Sequence, residues 1–245
     1  MTMSAVAPDA AAESTTPRVL EPDSALPDVP AHPAPWQLTA SAYMLLVKLP
    51  EHVLDQGAFV PPALVGKRRS GLSVVLLVDY QKADCGPYGE LMLIPAAFAF
   101  DQGNYLTITR IFVSTYESAV NGRRNWGIPK DRADFAVERD AKGCDRVRVS
   151  RDGHTFADFE LRAFGPSLPV RSWMLPTPVR SLMQHWNKQS YSFELLASGS
   201  MRMASLRSWS FDPQYFPDLA QGRVLAAAHF PKFEMLFPVP EMKPL

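Results

Sequence analysis

Cysteine is scarce in this chain, with 2 in 245 residues. Cys85 and Cys144 lie far apart and form no CxxC pair, which argues against a disulfide framework and against a zinc knuckle. The expectation is two ordinary thiols in a reducing, cytoplasmic setting. Net charge is missing as well, because 25 Lys and Arg balance 25 Asp and Glu. No long-range field draws the molecule to nucleic acid or to an anionic membrane, so neither is expected as a partner and a ligand must be recognised locally. No apolar run reaches the roughly 18 residues of a spanning helix; the longest, 91–100, sits between Glu90 and Asp101. The N-terminus lacks the basic start and apolar centre of a secretory leader. His32, His52, His154, His185 and His229 are dispersed, with no HxH or HExxH arrangement, so no metal is expected. No GxSxG elbow marks a serine hydrolase. The Arg and aromatic mixture MRMASLRSWSF alternates in polarity and reads as a solvated strand, not a nucleic-acid surface.

What is present divides into two parts. Residues 1–35 are rich in Pro and Ala and hold no aromatic residue, so they have little apolar area to offset the entropy of ordering. Arg18 stands there against Asp9, Glu13, Glu21, Asp23 and Asp28, which makes the segment an acidic tail. From Trp36 aromatic and β-branched residues recur, and 36–245 reads as a single domain. The apolar fraction of the whole chain, 47%, is enough to bury a core.

Strand patterns fall at 41–48, at the nearly continuous apolar run SVVLLVDY of 73–80, and at 90–98 and 104–113, the last two pairing across 101–103. A hairpin is expected at 145–151 and 154–164 across Asp152-Gly153. Further strands are expected at 191–197, 201–210 and 233–237. Helical signals are fewer: a short turn at 51–55, a helix over 114–124 capped by Ser114 or Thr115, and a helix over 179–187. The proline-rich stretch 165–178 reads as a loop. With no repeat and no internal boundary, the pattern predicts an α+β, mainly β domain built on one curled or closed sheet.

The chemically richest segment is YESAVNGRRNWGIPKDRADF, residues 116–135. Pro129 fixes its own φ and pushes Ile128 out of the helical region, so Lys130 is presented from a stiff, extended turn. Arg123 and Arg124 close the preceding helix, where cations favour the C-terminal dipole. Trp126 is expected in the core.

GRRNWGIPK at 122–130 resembles the Gly-Arg, aromatic, Pro-Lys signature of acetoacetate decarboxylase-like proteins, and GPYGEL at 86–91 resembles their upstream carboxylate segment. The resemblance runs from about Tyr43 to Phe237. It implies a curled antiparallel sheet enclosing a pocket, usually in a homo-oligomer, in which one lysine forms a Schiff base with a small carbonyl substrate and no cofactor is needed. That lysine is Lys130, with Glu90 as its catalytic partner and Tyr88, Arg123 and Arg132 as substrate-binding candidates. The chain departs from the family in three places. Asp131 follows Lys130 where the decarboxylases carry a second lysine; Val74, Val75 and Leu76 stand where they carry an acid; and no arginine lies near Ala40. Strand alternation predicts Arg132 beside Lys130, with Asp131 pointing away. The chemistry implied is decarboxylation of a keto acid or aldol and dehydratase-type reactions of another carbonyl compound. The competing expectation is a non-catalytic small-molecule-binding protein on the same fold.

Overall fold

The structure is a computed structural model that describes residues 25–245 apart from Ser70 and Lys142. Fifteen strands and one α-helix occur among the described residues. In chain order the strands are β1 (Trp36–Lys48), β2 (Leu72–Lys82), β3 (Tyr88–Ile94), β4 (Ala97–Phe100), β5 (Gly103–Leu106), β6 (Arg110–Val113), β7 (Lys130–Arg132), β8 (Asp134–Arg139), β9 (Cys144–Arg151), β10 (His154–Arg171), β11 (Ser181–Trp186), β12 (Gln189–Glu194), β13 (Leu196–Phe211), β14 (Arg223–Phe237) and β15 (Glu241–Pro244). The helix α1 (Tyr116–Trp126) joins β6 to β7.

Ten strands form one sheet in the order β7-β6-β3-β2-β1-β14-β13-β10-β9-β8, and β15-β12-β11-β5-β4 form a second. Strands β7 and β8 lie at opposite ends of the larger sheet, yet only Ala133 separates them in the chain. The sheet must therefore curl until its two edges approach each other, which is the mainly β, nearly closed barrel that the alternating pattern predicts.

Alternation then sorts side chains onto two faces. Tyr43, Leu45 and Val47 of β1, Val75 and Leu77 of β2, Leu91 and Leu93 of β3 and Phe112 of β6 meet Val149, Phe156, Phe159 and Leu161 in the interior of the curl. The outer face carries Val78, Tyr80, Tyr88, Ile111 and Val113, and α1 covers it with Ala119 and Trp126, while the second sheet contributes Leu182 and Phe193. Both faces of β2 have a cover over much of SVVLLVDY: Ser73, Val75, Leu77, Val78 and Tyr80 are buried, while Val74 and Leu76 are partly exposed.

Two sequence expectations are corrected. The stretch 179–187 is a strand, not a helix: β11 pairs with β12 across Asn187-Lys188, both at positive φ (48° and 60°), which is the backbone of a tight two-residue hairpin turn. Asn-Lys is a weak signal for such a turn because lysine seldom adopts that conformation. The stretch 165–178 is not wholly a loop, since β10 continues to Arg171 against β13. Its prolines are tolerated because Pro166 falls in the irregularity between Phe164 and Leu168, and Pro169 lies beyond Arg162, where pairing with β9 ends. Three expected strands are also interrupted, 90–98 after Ile94, 104–113 between Leu106 and Arg110, and 191–197 at Leu195.

The chain before residue 25 lies outside the described residues. Pro30 and His32, which composition places in the tail, are held against α1: Asn121 donates to the Pro30 carbonyl (3.0 Å) and accepts from the His32 amide (2.8 Å), and Asn125 donates to the His32 carbonyl (2.7 Å).

Candidate functional site

Helix α1 delivers the candidate lysine. Thr115 caps its start by accepting from the Ser118 amide, and Gly127 ends it in the left-handed conformation (φ 62°) with its amide on the Arg123 carbonyl. The chain then turns through Ile128 and Pro129 into β7, which runs parallel to β6 with Lys130 opposite Ile111. Arg123 fixes this junction by donating Nε to the Lys130 carbonyl (2.8 Å) while its guanidinium lies 5.4 Å from the Trp186 ring. It touches the lysine through the backbone.

Lys130 is buried, with only 4% of its surface exposed. Its Nζ donates to Glu90 Oε2 (3.0 Å), Ser118 Oγ (3.1 Å) and the Tyr88 hydroxyl (3.4 Å), and lies 4.9 Å from the Tyr88 ring centroid. Glu90, equally buried, also accepts from the Tyr80 hydroxyl (3.4 Å). The stem of the lysine passes α1 at Gly122, where an added Cβ would stand 2.5 Å from Cδ and 2.9 Å from Cε. Glycine is needed there for close approach, not for its φ.

Burial, reinforced by Glu90 and Cys85, pushes both Tyr80 and Tyr88 well above the ordinary phenol value; the Tyr80 phenol adds to the rise of Tyr88, whereas the hydrogen bond with Tyr88 works against that of Tyr80. Both remain proton donors at neutral pH. Burial also lifts the Cys85 thiol to about 11, against the opposing charge of Lys130, so it is no thiolate.

Asp131 points to the inner face, as alternation predicts. It accepts from Arg151 Nη1 (2.6 Å) and from the Arg132 amide (2.9 Å). Arg110 lies on the same face, its guanidinium packed on Phe112 (4.3 Å) and Phe59 (4.8 Å) and its Nε on the Tyr215 carbonyl (2.8 Å). Burial lowers Arg110 to about 10 in spite of the attraction of Asp131. The Lys-Asp neighbours in sequence are thus divided between two environments.

Arg132 shares the outer face with Lys130 but engages Asp134 at 2.6 Å and lies 5.9 Å from the Tyr116 ring. The structure therefore brings together Lys130, Glu90 and Tyr88, places Arg123 behind the lysine backbone, and turns Arg132 to its own acid. Ser118 and Tyr80 belong to the arrangement and carry no site signal in the sequence, whereas Gly122 is the glycine of the Gly-Arg segment. Ser118 lies one turn before Gly122 on α1, and Tyr80 closes the apolar run of β2, so only the contact of Ser118 with Lys130 and that of Tyr80 with Glu90 mark them.

The sequence profile of the family described as acetoacetate decarboxylase (ADC) matches residues 28–210. No curated protein matches the chain. Among solved structures, the chain is similar to acetoacetate decarboxylase from Legionella pneumophila subsp. pneumophila str. Philadelphia 1, with 12% identity, coverage of 91% of this chain and 93% of that one, and a TM-score of 0.69. An acetoacetate decarboxylase-like enzyme from Sphingomonas wittichii RW1 is 14% identical over 86% of this chain and 92% of its own, with a TM-score of 0.61. The enduracididine biosynthesis enzyme MppR, solved with pyruvate, is 12% identical over 90% and 93%, with a TM-score of 0.60. At such identities the structural likeness speaks for the fold.

Proposed function

The chain belongs to the acetoacetate decarboxylase family, and on that premise we propose that it is a Schiff-base-forming lyase acting on a small keto acid or another carbonyl compound, with Lys130 as the nucleophile. The observation that carries the proposal is the burial of the Lys130 amine against Glu90. An amine attacks only after losing its proton, and a carboxylate 3.0 Å away is placed to take it. The Lys130 nitrogen pair then adds to the carbonyl carbon, the oxygen is protonated, and water leaves to give an iminium ion. From a β-keto acid the bond to the carboxylate carbon breaks, its electron pair passes toward the iminium nitrogen, carbon dioxide departs and an enamine remains. From a substrate without that carboxylate, loss of an α proton gives the same type of enamine, open to aldol-type addition. Protonation at carbon and hydrolysis return the free lysine.

Glu90 carries the protons in this scheme, Tyr88 and Ser118 orient the amine through their hydroxyls, and Arg123 is a positioning residue acting through the Lys130 backbone. Arg132 stands on the same face, paired with Asp134. Exposed Phe164, Leu168, Trp173, Met174, Leu175 and Met203 support a homo-oligomer that covers them.

A second reading, a non-catalytic binding protein, is favoured by one observation: an ammonium has three donors, and Glu90, Ser118 and Tyr88 occupy all three. Mass spectrometry after incubation with ketones, keto acids and borohydride separates the two. The lyase predicts a reduced adduct on Lys130 that Lys130→Ala abolishes. Ligand binding without any adduct would replace it with the binding protein.

A further inference from the structure

Lys130 begins on the edge strand β7, but its amine ends two strands inward, over Glu90 of β3. What surrounds the amine is therefore set by the outer face of β3, β2 and β1. On that face Met92 follows Glu90 along β3, Leu76 and Val78 lie opposite them on β2, and Met44 and Ala42 lie opposite those on β1. None of these carries a charge. Val78 and Ala42 are buried, whereas Met92, Leu76 and Met44 are each partly exposed. The three partly exposed side chains make an apolar row about 10 Å long, two strand spacings, leading away from the amine.

The charges nearby are already engaged. Glu90 holds Lys130, Arg123 holds the Lys130 carbonyl and lies beside the Trp186 ring, Arg132 holds Asp134, and Arg110, Arg151 and Asp131 face the interior of the curl. A carboxylate seated on this row would meet Glu90 at one end and apolar side chains along its length, with no cation on the row to offset its desolvation. A neutral chain laid over Met92, Leu76 and Met44 would instead remove apolar surface from water.

Resting on the Schiff-base reading, we infer that the substrate is an uncharged aldehyde or ketone bearing an apolar chain, its carbonyl carbon at Lys130 and its chain along Met92, Leu76 and Met44. Such a substrate has no carbon dioxide to lose. The iminium ion advances by breaking an α carbon–hydrogen bond: the proton passes to the Glu90 carboxylate, the bond's electron pair becomes the enamine double bond, and the iminium nitrogen receives the displaced pair.

Borohydride trapping of the full chain with methyl n-hexyl ketone, set beside the α-keto acid in which a carboxylate replaces the methyl group, tests this. Half-maximal adduct on Lys130 is expected at a ketone concentration at least about tenfold below that of the acid. Leu76→Arg, which adds a cation to the row, is expected to reverse the order; the ratio in the unaltered protein decides the matter where that variant fails to fold. Equal or better trapping of the α-keto acid would overturn the inference and leave the Schiff-base reading standing. So would Lys130-dependent release of carbon dioxide from a β-keto acid of the same chain length. No adduct with any of these compounds, on protein with an unchanged circular dichroism spectrum, would overturn both.

Discussion

The Lys130 stem lies where a methyl group on Gly122 would have to be, with 2.5 Å between the added Cβ and Cδ. Gly122→Ala therefore overpacks the junction of α1 and β7, and the lysine stem, not the helix backbone, is the part free to move. The variant is expected to lose about 1–3 kcal/mol of stability in urea unfolding. Its borohydride-trapped adduct should fall much further than stability alone explains, because the amine is displaced from Glu90. Asp131 makes the contrasting case. Its carboxylate serves Arg151 and lies in the field of Arg110 on the opposite face. Asp131→Asn should destabilise the fold by about 2–4 kcal/mol, chiefly through the buried Arg110 it leaves uncompensated, with the partly exposed Arg151 released to solvent, while trapping at Lys130 in the folded fraction stays unchanged. A large change in Lys130 reactivity would show that the two neighbours share an environment after all.

Among the elements, four strands and a sheet edge converge on one cluster away from Lys130, built around the buried Tyr43, Asp145 and His229. Tyr43 of β1 donates to Asp145 of β9 (2.6 Å), Arg139 of β8 grips the same carboxylate through Nε (2.5 Å) and Nη2 (2.8 Å), and Arg202 of β13 donates to His229 Nδ1 of β14 (3.1 Å). Burial, helped by Arg202, lowers His229 to about 4 from 6.5. The folded chain thus refuses a proton that the unfolded chain accepts. Between those two values the unfolded state binds more protons, so the contribution is intact above pH 6.5, declines as pH falls toward 4, and changes no further below it. The loss should be on the order of 2 kcal/mol. Asp145 adds its own loss at lower pH: burial raises it, but hydrogen bonds from Arg139 and Tyr43 outweigh that and hold it below the usual carboxylate range. Chemical unfolding of the parent chain and of His229→Phe at several pH values checks the assignment, and the variant should show a flatter profile across the histidine range.

For the molecule as a whole, the closing of the sheet leaves the far parts of β10 and β13 and the segment after β10 without cover. Trp173 is 67% exposed, and Met174, Leu175, Leu168 and Met203 are each more than half exposed. A monomer rarely presents that much apolar surface in one region. Self-association at micromolar concentration is expected in sedimentation velocity, and Trp173→Glu should shift the distribution toward the monomer, because an interface core tolerates no unpaired carboxylate. A distribution that is monomeric for both proteins would end that expectation.

Composition and alternation were enough to determine a mainly β fold behind an acidic N-terminal segment, because period-two burial and the continuous run of β2 are local properties that the chain carries wherever it folds. The stiff Pro129-Lys130 presentation, the Glu90 segment and the turn of Asp131 away from Lys130, to the inner face, were legible for the same reason: proline geometry and strand alternation act on adjacent residues. Local signals failed at β11, where a two-residue turn was built from Asn187-Lys188, and in the second half of β10, where only the absence of a β9 partner makes Pro169 acceptable. They could not have assembled the site. Lys130, Glu90, Tyr80 and Ser118 come from β7, β3, β2 and α1, and whether Arg132 faces a substrate or Asp134 depends on how β7 meets β8. Closure of the curled sheet decided these contacts, since it alone brings groups distant in sequence within hydrogen-bonding distance and chooses which charges are left to neutralise one another.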